Sequence, residues 1–330
     1  MKPWRQIKKR WKFLLFLLAL TSAFAIAFGY FLVSNDAPIV IGNVVRNVEY
    51  KPGLKLDIYQ PTTKVFENTP VIVYIHGGAW IGGFKESLNF NRFNHAFNTL
   101  RESGYAIISV DYTLAQPNRS PFPDCIKDAS DAVAWLTQNA TLYNFDVHNI
   151  GLFGESAGAH IAMMVAYSQD SVKFNYVVDI YGPNQLAAVL HTPIIDTLNS
   201  LVGKLPDSYR PSLSPEKYIF GLDPKQDSVD IIQMVQAYSP YNYLTSAVPP
   251  TLIIQGDCDR IVPLSQSTSL QTRLDSLGVE CDIHIVKGAD HLFAKASPQQ
   301  KLEVQKRVVD FIRKHYNKKD KSMTKPSRTV

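Results

Sequence analysis

The segment Ile150-Gly151-Leu152-Phe153, followed by Gly154-Glu155-Ser156-Ala157-Gly158 and then Ala159-His160-Ile161-Ala162-Met163-Met164-Val165-Ala166, decides the fold. A short apolar run bounded by glycine reads as a buried strand, and the long run of small and apolar residues after it reads as a buried helix. Between them lies G-x-S-x-G, the pattern of a tight strand-to-helix turn that lifts a serine hydroxyl above the sheet. Glycines flank Ser156 because such a turn leaves little room for side chains. The helix N-terminus beneath it supplies a positive field for developing negative charge. The reading predicts a strand at 150–153, a nucleophile-type turn at Ser156 and a helix that opens there.

Working outward, buried strands alternate with helical segments. Val44–Tyr50 and Leu54–Tyr59 form an antiparallel pair around the turn Lys51-Pro52-Gly53. Val71–Ile75 is continuously apolar, as expected of a strand covered on both faces. Phe90–Ser103 is expected as a helix that stops at Gly104, Tyr105–Val110 as a strand and Asp124–Asn139 as a helix. Tyr176–Ile180, Thr251–Gln255 and Asp282–Val286 complete the strands, and Ser265–Leu277 and Gln299–His315 the helices. This alternation implies an α/β fold: a mainly parallel sheet with helices on both faces. From 183 to 248 the rhythm breaks at Pro183, Pro193, Pro206, Pro211, Pro215 and Pro240. The stretch is too long for a plain loop. It is expected to be a cap insertion over the site. Its aromatics Tyr209, Tyr218, Phe220 and Tyr238 belong either to a substrate pocket or to the cap's own core.

The 330 residues carry a formal net charge of +5, but the charge is unevenly placed. Lys2, Arg5, Lys8, Lys9, Arg10 and Lys12 precede the body, and Lys318, Lys319, Lys321, Lys325 and Arg328 follow it, against Asp320 alone. The body between is therefore net acidic, which argues against a nucleic-acid partner. Cys125, Cys258 and Cys281 are too few and too unevenly placed for a disulfide framework and are expected as free thiols. No C-x-x-C or H-E-x-x-H spacing points to a metal, and no cofactor is expected. Phe13–Val33 is uncharged and, at about 1.5 Å per residue, long enough for a bilayer core. With basic residues in front, it is expected as one N-terminal transmembrane helix, a signal-anchor that leaves the folded domain outside the cytosol. The rival is a leader cleaved near Ala25-Ile26-Ala27, which would secrete the domain. The organisation expected is 1–37 as basic N-terminus and signal segment, 38–317 as the folded domain with its cap at about 183–248, and 318–330 as a basic disordered tail.

A serine hydroxyl is a weak nucleophile until a base takes its proton and a carboxylate orients that base. His291 follows the last strand within Gly288-Ala289-Asp290-His291-Leu292-Phe293, at the same sheet edge as Ser156. His160 lies one helical turn below the elbow and reads as a packing residue. After Thr251–Gln255 comes Gly256-Asp257-Cys258-Asp259-Arg260-Ile261-Val262-Pro263. Spacing leaves both Asp257 and Asp259 open as the acid. His76-Gly77-Gly78-Ala79-Trp80 directly follows the strand Val71–Ile75. There Gly77 and Gly78, with Ala157, are candidate N–H donors to an oxyanion. Trp80, Tyr112 and Tyr181 are candidate pocket walls.

These motifs, with Leu56-Asp57-Ile58-Tyr59-Gln60-Pro61, Val110-Asp111-Tyr112, Phe122-Pro123 with Asp128, and Ser239-Pro240, span residues 44–315 in one order. The chain resembles the hormone-sensitive-lipase-like and BD-FAE-like carboxylesterases of the α/β-hydrolase superfamily. The resemblance implies an α/β-hydrolase fold and serine-dependent hydrolysis of a small-molecule carboxylic ester, with short acyl chains. It implies Asp259 as the acid, three places before Val262-Pro263. Arylformamidase-like relatives share the His-Gly-Gly-x-Trp pattern, so an amidase is the alternative chemistry, and a non-catalytic binding scaffold the alternative class. One departure stands out: Thr113-Leu114-Ala115-Gln116-Pro117 replaces a commoner arginine-bearing version, which puts local salt bridging in question.

Overall fold

The computed structural model describes residues 42–316 except 91–92, 117–118, 170–171, 191, 205–216, 218–219 and 223–226. Among the described residues eight strands form one sheet: β1 (Val44–Lys51), β2 (Leu54–Tyr59), β3 (Thr69–Ile75), β4 (Ala106–Val110), β5 (Phe145–Glu155), β6 (Val177–Ile180), β7 (Thr251–Gly256) and β8 (Cys281–Val286), in the order β1-β2-β4-β3-β5-β6-β7-β8. β2 pairs antiparallel with β1 and β4, and the remaining neighbours are parallel. The expected strands are all present. β5 begins earlier than expected because Phe145 pairs with Thr69 before a register irregularity that precedes the Val71–Ile150 pair.

The helices are α1 (Asn94–Glu102), α2 (Asp124–Gln138), the single turn α3 (Ala140–Tyr143), α4 (Ala157–Ser168), α5 (Leu186–Val189), α6 (Pro193–Gly203), α7 (Ser228–Ala237), α8 (Leu264–Ser276) and α9 (Pro298–Lys314). Apolar side chains of α2, α4 and α8 pack in a core on one face of the sheet. Those of α1 and α9 pack on the other. The helix expected over 90–103 is shorter: a 3-10 turn occupies Lys85–Phe90, and α1 starts at Asn94. Its end is as read, with Gly104 at φ +93° donating to Arg101. The three cysteines are free thiols; Cys258 lies just past the end of β7 and Cys281 is the first residue of the adjacent parallel strand β8, so the two sit at opposite ends of the pair.

The strand order matters for function. The chain reverses its direction of growth at β3, so β3 lies directly beside β5 with Ile75 opposite Gly154. A crevice at such a switch point, beyond the carboxyl ends of the strands, is where open α/β sheets hold ligands. The loops after β3, β5, β6, β7 and β8 all open on that edge.

Between β6 and β7 runs the stretch expected as a cap. Its start is held to α8 by Gln266, which accepts from the N–H groups of Asn184 and Gln185 at 2.9 and 2.8 Å. Phe220 and Tyr238 both pack on Phe122, Tyr238 in a stack with centroids 5.1 Å apart. Tyr209 and Tyr218 lie outside the described residues.

The membrane placement is corrected. Among the described residues no helix is long and apolar enough to cross a membrane. Phe13–Val33 and the basic tail 318–330 lie outside the described residues.

One buried carboxyl gives the fold a pH signature. Asp179 on β6 is fully buried. Its Oδ1 accepts from Gly182 N–H at 2.7 Å, while Oδ2 has no partner among the described residues. Burial pushes the carboxyl up from 3.8 to about 7, against the lowering effect of the Gly182 bond. The folded state therefore holds a proton between about pH 4 and 7 that the unfolded chain has released. The stabilising contribution is complete below about pH 4 and is lost as pH rises through 7, a span worth on the order of 4 kcal/mol. Asp179→Asn keeps the acceptor for Gly182 and removes the charge. It is expected to raise the melting temperature by several degrees at pH 8.5 and by much less at pH 5. Equal shifts at the two pH values would contradict this.

Candidate active site

The elbow is built by lack of space. Ser156 sits at φ +53°, ψ −118°, between the end of β5 and the start of α4. A Cβ on Gly154 would lie 2.3 Å from the Gly158 carbonyl oxygen, and one on Gly158 only 2.1 Å from that of Ile75. Only glycine fits either position. Ser156 N–H donates to Ile180 O at 2.9 Å, and Ser156 O accepts from His160 N–H at 3.1 Å, so the strained residue is held from both sides.

Two loops bring partners to the hydroxyl. His291 Nε2 lies 2.9 Å from Ser156 Oγ, and its Nδ1 lies 2.6 Å from Asp259 Oδ2. The carboxylate accepts at Nδ1, so that nitrogen carries the proton and Nε2 is left to accept from the hydroxyl. Asp259 is buried. Its Oδ1 accepts from the N–H groups of Ile261 and Val262 at 2.8 and 2.9 Å, and Gln255 Nε2 donates to its Oδ2 at 2.7 Å. Gln255 is itself held by Ser267 Oγ at 3.1 Å. These donors make an ionised carboxylate tolerable away from water. The alternative acid is elsewhere: Asp257 Oδ1 accepts from Gly288 N–H at 2.6 Å and ties the β7 loop to the β8 loop. Gln255 was not singled out from sequence. Its position on a buried strand four residues before Asp259 was the available signal.

The β3 loop lies against the elbow. A Cβ on Gly77 would come 2.9 Å from Glu155 O and 3.4 Å from Ser156 Cβ. Gly78 takes φ +129°, and its carbonyl accepts from Ile81 and Gly82 N–H at 3.0 Å each. Among the described residues no backbone carbonyl accepts from Gly77 or Gly78 N–H. Ala157 is the first residue of α4, whose N–H has no intrahelical partner.

The candidate pocket residues are all buried and engaged. Tyr112 stacks on His76 at 4.3 Å between centroids and donates to His76 O at 2.9 Å, which steadies the start of the glycine loop. Tyr181 packs on His291 at 4.6 Å. Trp80, at φ +61°, donates from Nε1 to His160 Nδ1 at 3.3 Å. His160 Nε2 in turn donates to Tyr238 O at 2.6 Å. His160 thus staples the glycine loop, the elbow helix and the β6–β7 connection together. The departure at 113–117 is also resolved: Asp128 accepts from Lys51 Nζ at 2.6 Å and from Thr113 N–H at 2.8 Å, so a lysine from β1 supplies the cation.

Fold and site together define a member of the α/β-hydrolase superfamily. The chain belongs to the BD-FAE family, whose profile matches residues 56–274. Esterase LipQ of Mycobacterium tuberculosis is 26% identical over 271 residues, covering 81% of this chain and 61% of LipQ. The probable carboxylic ester hydrolase LipM of the same organism is 26% identical, covering 68% of this chain and 50% of LipM. The chain thus spans half to three fifths of the length of these relatives. The hyperthermophilic esterase of Pyrobaculum calidifontis superposes with a TM-score of 0.66 at 22% identity, covering 90% of this chain and 92% of its own.

The staple is pH-sensitive in a defined direction. Burial lowers the His160 imidazole from 6.5 to about 4, against the raising effect of its bond to Tyr238 O. The unfolded chain protonates first as pH falls. The stability from this neutral histidine is complete above about pH 6.5 and is lost progressively down to about 4, at roughly 1.4 kcal/mol per pH unit. His160→Gln is expected to cost more stability at pH 7.5 than at 4.5, the difference being on the order of 3 kcal/mol by urea unfolding. A cost independent of pH would show that the His160 imidazole titrates alike in the folded and unfolded chain.

Proposed function

We infer that the chain hydrolyses carboxylic esters through an acyl-enzyme. The observation that carries this reading is the imidazole of His291, bridging Asp259 Oδ2 at 2.6 Å and Ser156 Oγ at 2.9 Å. Ser156 Oγ attacks the acyl carbon while its proton passes to His291 Nε2. Asp259 holds the ring in the tautomer that accepts it and balances the imidazolium that forms. The N–H groups of Gly77, Gly78 and Ala157 receive the oxyanion. Each such donor is worth about 2.7–4 kcal/mol of barrier. The tetrahedral intermediate collapses, the C–O bond to the alcohol breaks, and Nε2–H protonates the departing oxygen. Water then repeats the sequence on the acyl-serine. The esterase names of the relatives support the ester as the bond cleaved.

The substrate is a small-molecule ester with a short acyl chain. Trp80, on the glycine loop and packed against Phe122 and His160, is the wall read as limiting chain length. Ile81 and Phe84 on that loop, Ile261 beside Asp259 and Leu292 beside His291 are large exposed apolar residues on the three loops that carry the site. They offer contact to an apolar alcohol portion outside the acyl pocket.

The full chain is expected to hydrolyse p-nitrophenyl acetate and butyrate faster than the laurate ester. Ser156→Ala is expected to lower kcat by at least about 10⁴-fold with an unchanged melting curve, and to abolish labelling by a fluorophosphonate. Activity that survives the substitution would reject the mechanism. A wild-type chain that neither turns over nor labels would instead mark a binding scaffold.

A further inference from the structure

Tyr181 has a backbone that its side chain must justify. It follows β6 at φ +47°, a left-handed conformation that costs a non-glycine residue on the order of 1–3 kcal/mol and persists where surroundings impose it. Its N–H donates to Ile254 O at 2.9 Å, which pins it between the elbow and the acid loop. The conformation turns the ring under the imidazole of His291, with centroids 4.6 Å apart and planes at 49°. Phe293, from the same loop as His291, packs edge-on against the Tyr181 ring at 5.1 Å.

The phenol of Tyr181 is committed to a carboxylate. Its hydroxyl donates to Glu155 Oε2 at 2.6 Å, while Tyr74 donates to Oε1 at 2.7 Å. Glu155 is buried and is the residue immediately before Ser156. The residue between the first glycine and the serine of the elbow is therefore linked, through one phenol, to the face of the base. Asp259 controls the imidazole at its edge, through Nδ1. Nothing in that bond fixes the tilt of the ring about the Nδ1–Oδ2 line, and the Tyr181 ring lies in contact with the imidazole at 4.6 Å.

We propose that Glu155 and Tyr181 are positioning residues for the base: Glu155 tethers and polarises the Tyr181 phenol, whose ring face holds the His291 plane and stabilises its charged form. The proposal rests on the acyl-transfer reading above. A phenol that donates to a carboxylate is richer in electron density, and its face is a better neighbour for a cation. The benefit appears only when Ser156 has given up its proton and His291 is an imidazolium, so it belongs to the transition state rather than to substrate binding. The groups that face His291 are Asp259 at Nδ1, Ser156 at Nε2 and Tyr181 on the ring face. The nearby carboxylates Asp257 and Asp290 are turned to the N–H groups of Gly288 and Ala294.

The test uses the full-length protein and p-nitrophenyl acetate, with Tyr181→Phe and Glu155→Gln compared with wild type. Tyr181→Phe keeps the ring and drops the tether; Glu155→Gln keeps the shape and drops the charge. Both are expected to lower kcat, Tyr181→Phe by roughly 3- to 30-fold and Glu155→Gln by less, with KM within about twofold of wild type. The acid limb of the kcat profile is expected to move to lower pH by about half a unit, because the imidazolium has lost a stabilising neighbour. Fluorophosphonate labelling should slow in proportion to kcat. If Tyr181→Phe lowers the melting temperature by more than a few degrees, Glu155→Gln alone decides. Wild-type kcat and an unmoved acid limb in a folded variant would overturn the proposal, as would a loss confined to KM. A wild-type chain that neither hydrolyses nor labels would overturn both this proposal and the reading beneath it.

Discussion

The structure depends on how little space separates the end of β5, the start of α4 and the end of β3. Within that space a carbon added to Gly158 would meet the Ile75 carbonyl at 2.1 Å, and one added to Gly77 would meet that of Glu155 at 2.9 Å. Close approach of three backbones forces Ser156 into its strained turn and puts the glycine loop at its shoulder. Strain of this kind survives only in surroundings that over-determine it. Here they are the fully buried strands on either side of β5 and the almost wholly buried helix behind it.

Around that point, polar groups are buried in pairs that leave each with a defined proton. His76, His160 and His291 illustrate how environment divides one residue type. His160 is enclosed and neutral, a donor to Tyr238 O and an acceptor from Trp80. His76 is lowered to about 4 by burial and donates from Nδ1 to Gly77 O at 2.8 Å, which helps set the glycine loop. His291 alone faces both a carboxylate and the hydroxyl. The first two fix backbone; the third joins a carboxylate to a hydroxyl across two loops. A buried polar group costs free energy unless its partners are supplied, and at this edge of the sheet the partners come from loops far apart in sequence.

Much of this was legible in the residues. Alternation of apolar runs with amphipathic segments identified the strands, and Gly104 marked where α1 stops. Ser156, His291 and the glycine loop could be chosen because each follows a strand on the same edge. Other features were not legible. Asp257 and Asp259 are two residues apart, and only the direction of their side chains separates them: one reaches Gly288 and the other His291. Lys51 as the counter-ion of Asp128 joins residues 77 positions apart. Phe90 read as the start of a helix, but it ends a 3-10 turn that begins at Lys85, whose backbone is tied down, its N–H donating to Asp111 Oδ1 and its carbonyl accepting from Ser109 Oγ. Tyr181 read as a pocket wall; that it is 1% exposed and packs on the imidazole at 4.6 Å needed the tertiary structure.

The sequence by itself determined the α/β alternation, the elbow and the placing of Ser156 and His291 at strand ends on one edge of the sheet. These follow from local rules: periodicity of apolar residues, the conformational range of glycine, and the position of a residue at a strand end. Tertiary structure alone decided which aspartate meets the imidazole, what staples the glycine loop to α4, and what stands behind His291. Those outcomes depend on strand order and on side-chain direction across gaps of 26 to 135 residues. At such separations periodicity carries no information, and only the packing of the sheet brings the groups within bonding distance.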